Sequence, residues 1–251
     1  NLLREFLQAL ALRSLHESKA LLHLAFVGGT ALRFLHKLPR FSEDLDFSLV
    51  AREGYAPEKW VRKLKQDLLL AGFSVTVTWN DRTNVHKSWI KVAGLLREAG
   101  LSQMANQNIS IKLEIDTCPP AGAVIEKTLV NHHRILALCH YDLPSLMAGK
   151  LHALITRPYP KGRDWYDFIW YRSQRPPMQP NLDLLQNALD QTQGTGRFDA
   201  ASWKGLLQER IEHMEIRKLL NDVEAFLERP SEKDLFTRDT FLGLLSAFNP
   251  G

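Results

Sequence analysis

Cysteine is scarce in this sequence, and long apolar runs are missing. The two cysteines among 251 residues, Cys118 and Cys139, have no CxxC or Cys/His ligand spacing around them, which argues against a disulfide framework and a zinc site. No apolar run reaches the ~18 residues that suggest a membrane-spanning helix, and the first residues lack a secretory pattern. We therefore expect a cytoplasmic protein with no membrane partner. Because residue 1 is Asn rather than Met, we also expect the natural chain to begin before it.

A strong excess of charge is also missing. Lys and Arg number 32 and Asp and Glu 28, a formal net charge of +4, and the pI is near 9.1. This mild basicity permits a polyanionic partner without requiring one. Hydrophobic residues make up 45% and charged residues 24%, with no repeat or biased segment, so the sequence is typical of a folded globular protein.

Two patterns of apolar spacing divide the chain. In the first half, helical spacing alternates with short strand-like runs, which predicts a mixed α/β fold. From Asp142 onward the spacing is helical almost throughout, with breaks at 157–162, 175–180 and 193–196. We therefore predict an α/β domain with an N-terminal helix over residues 1–141 and a helical domain over 142–251. Within the first domain the predicted helices are 1–22, 31–36 and 57–71, and the predicted strands are 24–27, 45–50, 73–79, 86–92 and 109–116.

Gly28, Gly29 and Thr30 lie between a predicted strand and a predicted helix. Two glycines without side chains let backbone N–H groups approach an anion, and the helix that follows presents its positive end to a phosphate. Taken alone, such a turn more often connects a strand to a helix and binds nothing. The acidic residues that follow give the turn a chemical context.

Two aspartates, Asp44 and Asp46, are separated by one residue at the start of an apolar strand. Strand alternation puts both carboxylates on one face. Closely spaced carboxylates suit Mg²⁺ or Mn²⁺, which prefer oxygen ligands and often bridge carboxylates to nucleotide phosphates. A solvated acidic loop is the alternative, because acidic residues are common on protein surfaces.

A third carboxylate is available in the strand predicted over 109–116. Its alternation puts Lys112, Glu114 and Asp116 on one face and four apolar residues on the other. Glu114 is the first choice as the third acid, because it lies deeper in the strand where its position is better defined. Asp116 is the alternative, since it stands near the strand end before two prolines and could instead cap a turn.

In combination these motifs resemble the nucleotidyltransferase superfamily, whose pattern is a Gly-Gly or Gly-Ser turn, an acid-x-acid pair and a third acid on a later strand. The segments Phe26–Leu32, Arg40–Phe47 and Lys112–Ile115 resemble, more narrowly, the AbiEii/AbiGii-type toxins of type IV toxin-antitoxin systems. The resemblance spans residues 24–171. It implies the nucleotidyltransferase fold, in which a mixed sheet flanked by helices is followed by a mostly helical domain that contributes to the cleft for nucleotide and acceptor.

A second block of the resemblance lies in the helical half. The segment Ala148–Leu154, followed by Arg163-Asp164-x-x-Asp167, resembles the family's helical-domain motif. On this resemblance Lys150 contacts the triphosphate and Asp164 contributes to the site. Structural roles are the alternative: a solvated Lys150, a helix cap at Asp164, and an i,i+4 ion pair between Arg163 and Asp167.

The resemblance implies a metal-dependent nucleotidyl transfer that uses an NTP. Asp44, Asp46 and Glu114 would bind Mg²⁺ or Mn²⁺, an acceptor hydroxyl would attack the α-phosphorus, and pyrophosphate would leave. The expected nucleotide contacts are Gly28, Gly29, Thr30, Arg40, Ser42, Lys150 and Arg163. The expected catalytic residues are Asp44, Asp46, Glu114, Lys150 and Asp164, with Lys112 and Asp167 as further candidates.

The resemblance also implies an RNA acceptor, in several relatives the 3′ end of tRNA, so that the modification would block aminoacylation and translation. Tyr159 and Lys161, on the loop between two predicted helices, are the nucleic-acid candidates. A separately encoded antitoxin would be the partner, with no need to bind the toxin directly. Two alternatives stay open: a nucleotidyltransferase that modifies a protein or small-molecule hydroxyl, and a nucleotide- or RNA-binding module without catalysis.

Overall fold

A seven-stranded mixed sheet forms the core of the first half of the chain. The computed structural model describes residues 1–104 and 107–246. Its strands are β1 (Leu24–Val27), β2 (Leu45–Leu49), β3 (Ser74–Asn80), β4 (Val85–Ala93), β5 (Ile109–Asp116), β6 (Ile125–His132) and β7 (Arg134–Tyr141). They lie in the order β3-β4-β5-β2-β1-β7-β6. β2 pairs parallel with β5 and β1 parallel with β7, whereas β1 with β2, β3 with β4 and β4 with β5 are antiparallel. The expected mixed sheet is confirmed.

The chain forms two compact units. The first contains residues 1–37, 41–119 and 125–140, and the second contains 38–40, 120–124 and the chain from 141 onward. Helices of the first unit are α1 (Leu2–Glu17), α2 (Gly28–His36), α3 (Pro57–Leu70) and the short α4 (Leu95–Glu98). Helices of the second are α5 (Leu143–Thr156), α6 (Gly162–Ser173), α7 (Leu182–Gln193), α8 (Trp203–His213), α9 (Ile216–Val223) and α10 (Arg238–Ser246). The division expected after residue 141 stays a prediction, and residues 247–251 of the expected helical domain lie outside the described residues.

Strand β5 has the alternation that the sequence predicts. Ile109, Ile111, Leu113 and Ile115 are buried, and each residue between them is partly exposed. The buried side chains contribute to the core, and α1 packs on this strand. The polar face is thereby left available for chemistry.

The opening helix is shorter than the predicted 1–22. It ends at Glu17, and Lys19 has a φ of 61°. A left-handed residue cannot continue an α-helix, so the chain turns there into a short 3₁₀ segment, Ala20–Leu22. Leu7, Leu12 and other apolar residues of α1 are nevertheless buried, as the helical spacing predicts.

The hairpin of β6 and β7 was not predicted. Seven of the eight residues of β6 are exposed or partly exposed, with no apolar alternation, because β6 lies at the edge of the sheet. The apolar run Ile135–Cys139 of β7 has no helix- or strand-specific spacing, and short runs of this kind are ambiguous.

The second unit has a separate, aromatic-rich core. Trp165 of α6 lies edge-to-face against Phe241 of α10, with the ring centroids 5.1 Å apart. The centroid of the Trp165 ring lies 6.1 Å from that of Phe168. Gly162 begins α6 beside α9, where a Cβ would collide with the carbonyl group of Leu219.

The predicted breaks near 157–162 and 175–180 coincide with the ends of α5 and α6. Among the described residues, no helix is both long and apolar enough to cross a membrane.

Replacement of the buried Leu113 by alanine should lower the free energy of unfolding by about 2–5 kcal/mol, because it removes apolar contacts and leaves a cavity at the centre of the sheet. Urea denaturation followed by circular dichroism measures this. Leu129→Ala on β6 is the matched control, because this leucine is 72% exposed and its loss should change stability by less than about 0.5 kcal/mol. Equal losses in the two variants would contradict the assigned core.

Candidate active site

The parallel pairing of β2 with β5 places two predicted acids side by side. Asp46 is the direct partner of Glu114 in this register, and neighbouring strands lie about 4.8 Å apart. Directly opposed residues in a sheet project to the same face. Asp44 lies two residues before Asp46, immediately before β2 begins. The first unit therefore brings Asp46, the second acid of the acid-x-acid pair, next to the third acid.

Gly28 allows the start of α2 to lie close to Asp46. Val27 is the antiparallel partner of Asp46, and Gly28 follows with a φ of +78°. A Cβ at Gly28 would collide with the Asp46 carboxylate and lie 3.0 Å from its Cγ. Only glycine combines this left-handed conformation with so close an approach.

The start of α2 has the character of an anion site. Its N-cap residue is Val27, which has no side-chain oxygen to accept a hydrogen bond from the first-turn N–H groups. The positive end of the helix dipole lies at the same place. Thr30 is fully buried, and its hydroxyl donates to the backbone carbonyl of Asp44. That side chain holds the acidic loop against α2, so any contact of Thr30 with a nucleotide would have to come from its backbone.

Two lysines surround Glu114. Lys112, on the same face of β5, has its Nζ 2.8 Å from one carboxylate oxygen, and Lys87 of β4 has its Nζ 3.6 Å from the other. Lys87 is the direct antiparallel partner of Glu114. Lys87 was not predicted as a site residue, because the residue pattern of a strand does not show which strand will lie beside it.

Asp116 has a different environment from Glu114. Its partner on β2 is Ser48 rather than an acid, and it accepts a hydrogen bond of 2.9 Å from the backbone N–H of Cys118. Burial raises the pKa of Asp116 and outweighs the opposing effect of this hydrogen bond. Asp116 thus has the turn-capping contact that was its alternative role, and Glu114 is the acid next to Asp46.

Ser42 and Gly29 are the remaining residues of the first unit that were predicted to contact the nucleotide. The backbone carbonyl of Ser42 accepts a hydrogen bond of 3.2 Å from the Gln8 side chain of α1, which ties the loop before Asp44 to the first helix. Gly29 is buried in the first turn of α2.

A network of charged side chains, most of them buried, lies in the second unit. Arg40 is 2% exposed and makes a two-pronged ion pair with Asp167, at 2.6 and 2.7 Å. Lys150 of α5 lies 2.9 Å from Asp164 and 2.8 Å from Asp167 of α6, and Arg157 also pairs with Asp164. Three cations therefore surround the two carboxylates of α6.

The structure can be compared with two alternatives considered above: a solvated Lys150, and an ion pair between Arg163 and Asp167. The side chain of Lys150 is only 15% exposed, so it is not a solvated surface lysine. The guanidinium of Arg163 lies over the ring of Phe226, 4.4 Å from its centroid, while Asp167 pairs with Arg40 and Lys150. The partners of Asp167 come from distant parts of the chain, which sequence spacing alone does not reveal.

Comparison with known proteins identifies the family. Residues 10–240 match the family described as nucleotidyl transferase AbiEii toxin, type IV TA system. The chain belongs to the AbiEii family. The match covers most of the 251 residues, and the family resemblance found in the motifs is confirmed. The family is one of nucleotidyltransferase toxins.

Two solved structures from Helicobacter pylori resemble this AbiEii-family chain. One, assigned as a nucleotidyltransferase, has a TM-score of 0.59 and 18% sequence identity, over 97% of this chain and 93% of that one. The other, JHP933, has a TM-score of 0.54 and 18% identity, over 97% and 90%. At this identity the likeness concerns the fold, which agrees with the predicted nucleotidyltransferase fold. No curated protein matches the chain.

Gly28→Ala should destabilise the AbiEii-family chain by more than about 1 kcal/mol, because alanine disfavours the left-handed conformation and its Cβ would displace Asp46. Thermal and urea unfolding measure the change. Gly149→Ala is the control: this glycine lies inside α5 with no atom within 4 Å of the added Cβ, so alanine there should be neutral or stabilise by up to about 1 kcal/mol. The same effect at both positions would refute the close approach at Gly28.

The stability of the second unit should depend on Asp164 at acid pH. Burial would raise the pKa of Asp164, but Lys150 and Arg157 beside its carboxylate lower that pKa from 3.8 to about 2. Because the folded-state pKa lies below the unfolded one, the contribution is present above pH 4 and is lost as the pH falls toward about 2. Its size is on the order of 2 kcal/mol.

Asp164→Asn should therefore flatten the loss of unfolding free energy between pH 4 and pH 2, as measured by urea denaturation at a series of pH values. Wild type and variant should run parallel between pH 6 and pH 8, where the carboxylate stays ionised. Parallel curves down to pH 2 would show that Asp164 contributes no acid sensitivity.

Proposed function

We propose that this AbiEii-family nucleotidyltransferase transfers a nucleotidyl group from an NTP to an RNA acceptor, the 3′ end of tRNA, and thereby blocks translation. The observation that carries the proposal is the register of Asp46 with Glu114 beside the uncapped start of α2. Family membership supplies the reaction class. The acceptor, the metal and the residue roles are parts of the proposal.

The donor set fits Mg²⁺ or Mn²⁺. Asp44, Asp46 and Glu114 offer only carboxylate oxygens, the ligands that these ions prefer. A bound ion would neutralise phosphate charge and activate the acceptor hydroxyl. Lys112 and Lys87 offset the charge of Glu114, so this acid would exchange lysine contacts for metal ligation.

The start of α2 is the proposed triphosphate contact in the first unit. The backbone N–H groups of Gly28 and Gly29 and the helix dipole favour a bound phosphate. No side chain at Gly28 separates that phosphate from Asp46. The nucleotide roles of Arg40, Ser42, Lys150 and Arg163, and the site roles of Asp164 and Asp167, stay predictions of the family resemblance.

An RNA acceptor agrees with the mild positive charge of the chain. Tyr159, 83% exposed, and the exposed Lys161 lie together on the loop between α5 and α6. An aromatic ring can stack on an unpaired base and a lysine can contact a phosphate. The acceptor oxygen would bond to the α-phosphorus as pyrophosphate leaves, and the family type implies an antitoxin encoded separately.

The test is incubation of the purified chain with Mg²⁺, each α-³²P-labelled NTP in turn and total tRNA. We expect label on tRNA with one or a few of the NTPs. Asp46→Ala and Glu114→Gln should each lower the rate on the order of 100-fold or more, because loss of a metal ligand removes several kcal/mol of transition-state stabilisation. Asp116→Asn, on the same face of β5, is the matched control and should change the rate only a few-fold.

Each other outcome has a defined meaning. Label on protein or on a small molecule, with none on RNA, would replace the acceptor and retain the enzyme class. A large loss in Asp116→Asn with little in Glu114→Gln would move the third ligand to Asp116. No transfer to any acceptor would overturn the proposed activity and favour a binding module.

A further inference from the structure

A second group of potential metal ligands lies in the first unit and contains none of the proposed catalytic acids. Glu5 of α1 is 3% exposed. Its Oε1 lies 2.9 Å from Nε2 of His132 and 3.1 Å from Nε2 of His133. The three potential ligand atoms all lie within 4.8 Å of one another, and within the part of the chain that the structure describes this is the one such group of His, Cys, Asp and Glu.

Two of the three separations between these atoms are close to those in a metal site. Tetrahedral Zn²⁺ with bonds of about 2.0–2.1 Å separates its ligand atoms by roughly 3.3 Å. The distances from Glu5 to the two histidines therefore need to change by only a few tenths of an ångström. Two imidazole nitrogens and one carboxylate oxygen suit Zn²⁺, Co²⁺ and similar ions rather than Mg²⁺.

The side chains around the group hold it in place. Arg33 binds the other carboxylate oxygen of Glu5 at 2.5 Å, which orients Oε1 toward the histidines. The ring of His132 lies 4.5 Å from that of Phe34, and the ring of His133 lies edge-to-face 6.0 Å from that of Phe6. Ligands whose orientation is set by packing and by a neighbouring ion pair are the usual condition for a precise site.

The backbone at His133 adds a separate observation. His133 is the single residue between β6 and β7, and it has a φ of 57°. A left-handed conformation is uncommon for a residue other than glycine and persists where the surroundings enforce it. Here it places two consecutive imidazoles on the same carboxylate oxygen. Both histidines remain 27–30% exposed, so an ion has access.

We propose that Glu5, His132 and His133 bind a divalent transition-metal ion of the Zn²⁺ class. This metal site contains none of the carboxylates proposed for catalysis. The ion binds each histidine through Nε2, a proton on that atom moves to Nδ1 of the same ring or leaves to solvent, and at least one position is kept for water. It links α1 to the β6–β7 hairpin across 127 residues of sequence. The site is thus a clamp on the N-terminal helix, independent of nucleotide.

The test is calorimetric titration of the full chain with ZnCl₂ in excess MgCl₂ and without nucleotide. We expect one Zn²⁺ per chain in addition to any site that Mg²⁺ occupies, with a rise in Tm. His132→Gln/His133→Gln should weaken Zn²⁺ binding by at least about tenfold, since even outer-shell substitutions lower metal affinity 10–100-fold. His16→Gln is the control. His16 is exposed on α1, the helix that carries Glu5, and this variant should bind Zn²⁺ as the wild type does.

Two further variants keep the test decisive. His133→Asn tolerates the left-handed conformation and retains an N–H donor, so it should fold normally yet lose Zn²⁺ affinity at least about tenfold. Asp46→Ala should leave this Zn²⁺ binding unchanged, which separates the clamp from the proposed active site whether or not that activity is found. Unchanged Zn²⁺ affinity in the histidine variants, or no Zn²⁺ binding by the wild type, would reduce the group to a hydrogen-bonded contact and overturn the proposal.

Discussion

The pairing of β2 with β5 puts Asp46 directly opposite Glu114, and like charges so close together repel each other. The first unit offsets this repulsion from three directions. Lys112 and Lys87 flank Glu114, and the positive end of α2 lies beside Asp46 because Gly28 has no side chain. This arrangement also suits a metal ion, which would add positive charge beside the acids, and a triphosphate, whose negative charge would face the positive end of α2.

In the second unit, ion pairs compensate for carboxylates that are buried. Asp167 is fully buried and Asp164 nearly so, and an unpaired buried carboxylate would be strongly destabilising. Arg40, Lys150 and Arg157 supply the compensating charges. The family motif in this half is thus also a structural network. A substitution here would alter folding as well as any role in binding, and stability must be measured before a loss of activity is assigned to chemistry.

The sequence named the acids of the candidate site and revealed less of what surrounds them. The alternation in 109–116 predicted the polar face of β5, and the one-residue spacing of Asp44 and Asp46 predicted that their carboxylates share a face. Lys87, the ion pair of Arg40 with Asp167, and the convergence of Glu5 with His132 and His133 were not predicted. Each depends on residues far apart in the chain, 127 positions apart for the last two. Strand β6 was missed because seven of its eight residues are exposed or partly exposed, and β7 because its short apolar run has no strand-specific spacing.

By itself, the sequence determined the class of the protein and named the acids proposed for its chemistry. Local periodicity dictates which residues share a strand face, and the motifs were specific enough in combination to identify the family. Only the tertiary structure decided that Glu114 rather than Asp116 is the partner of Asp46, and that Lys150 and Arg40 are held in ion pairs. Strand register and long-range charge pairing arise from how the whole chain packs, and no local pattern contains that information.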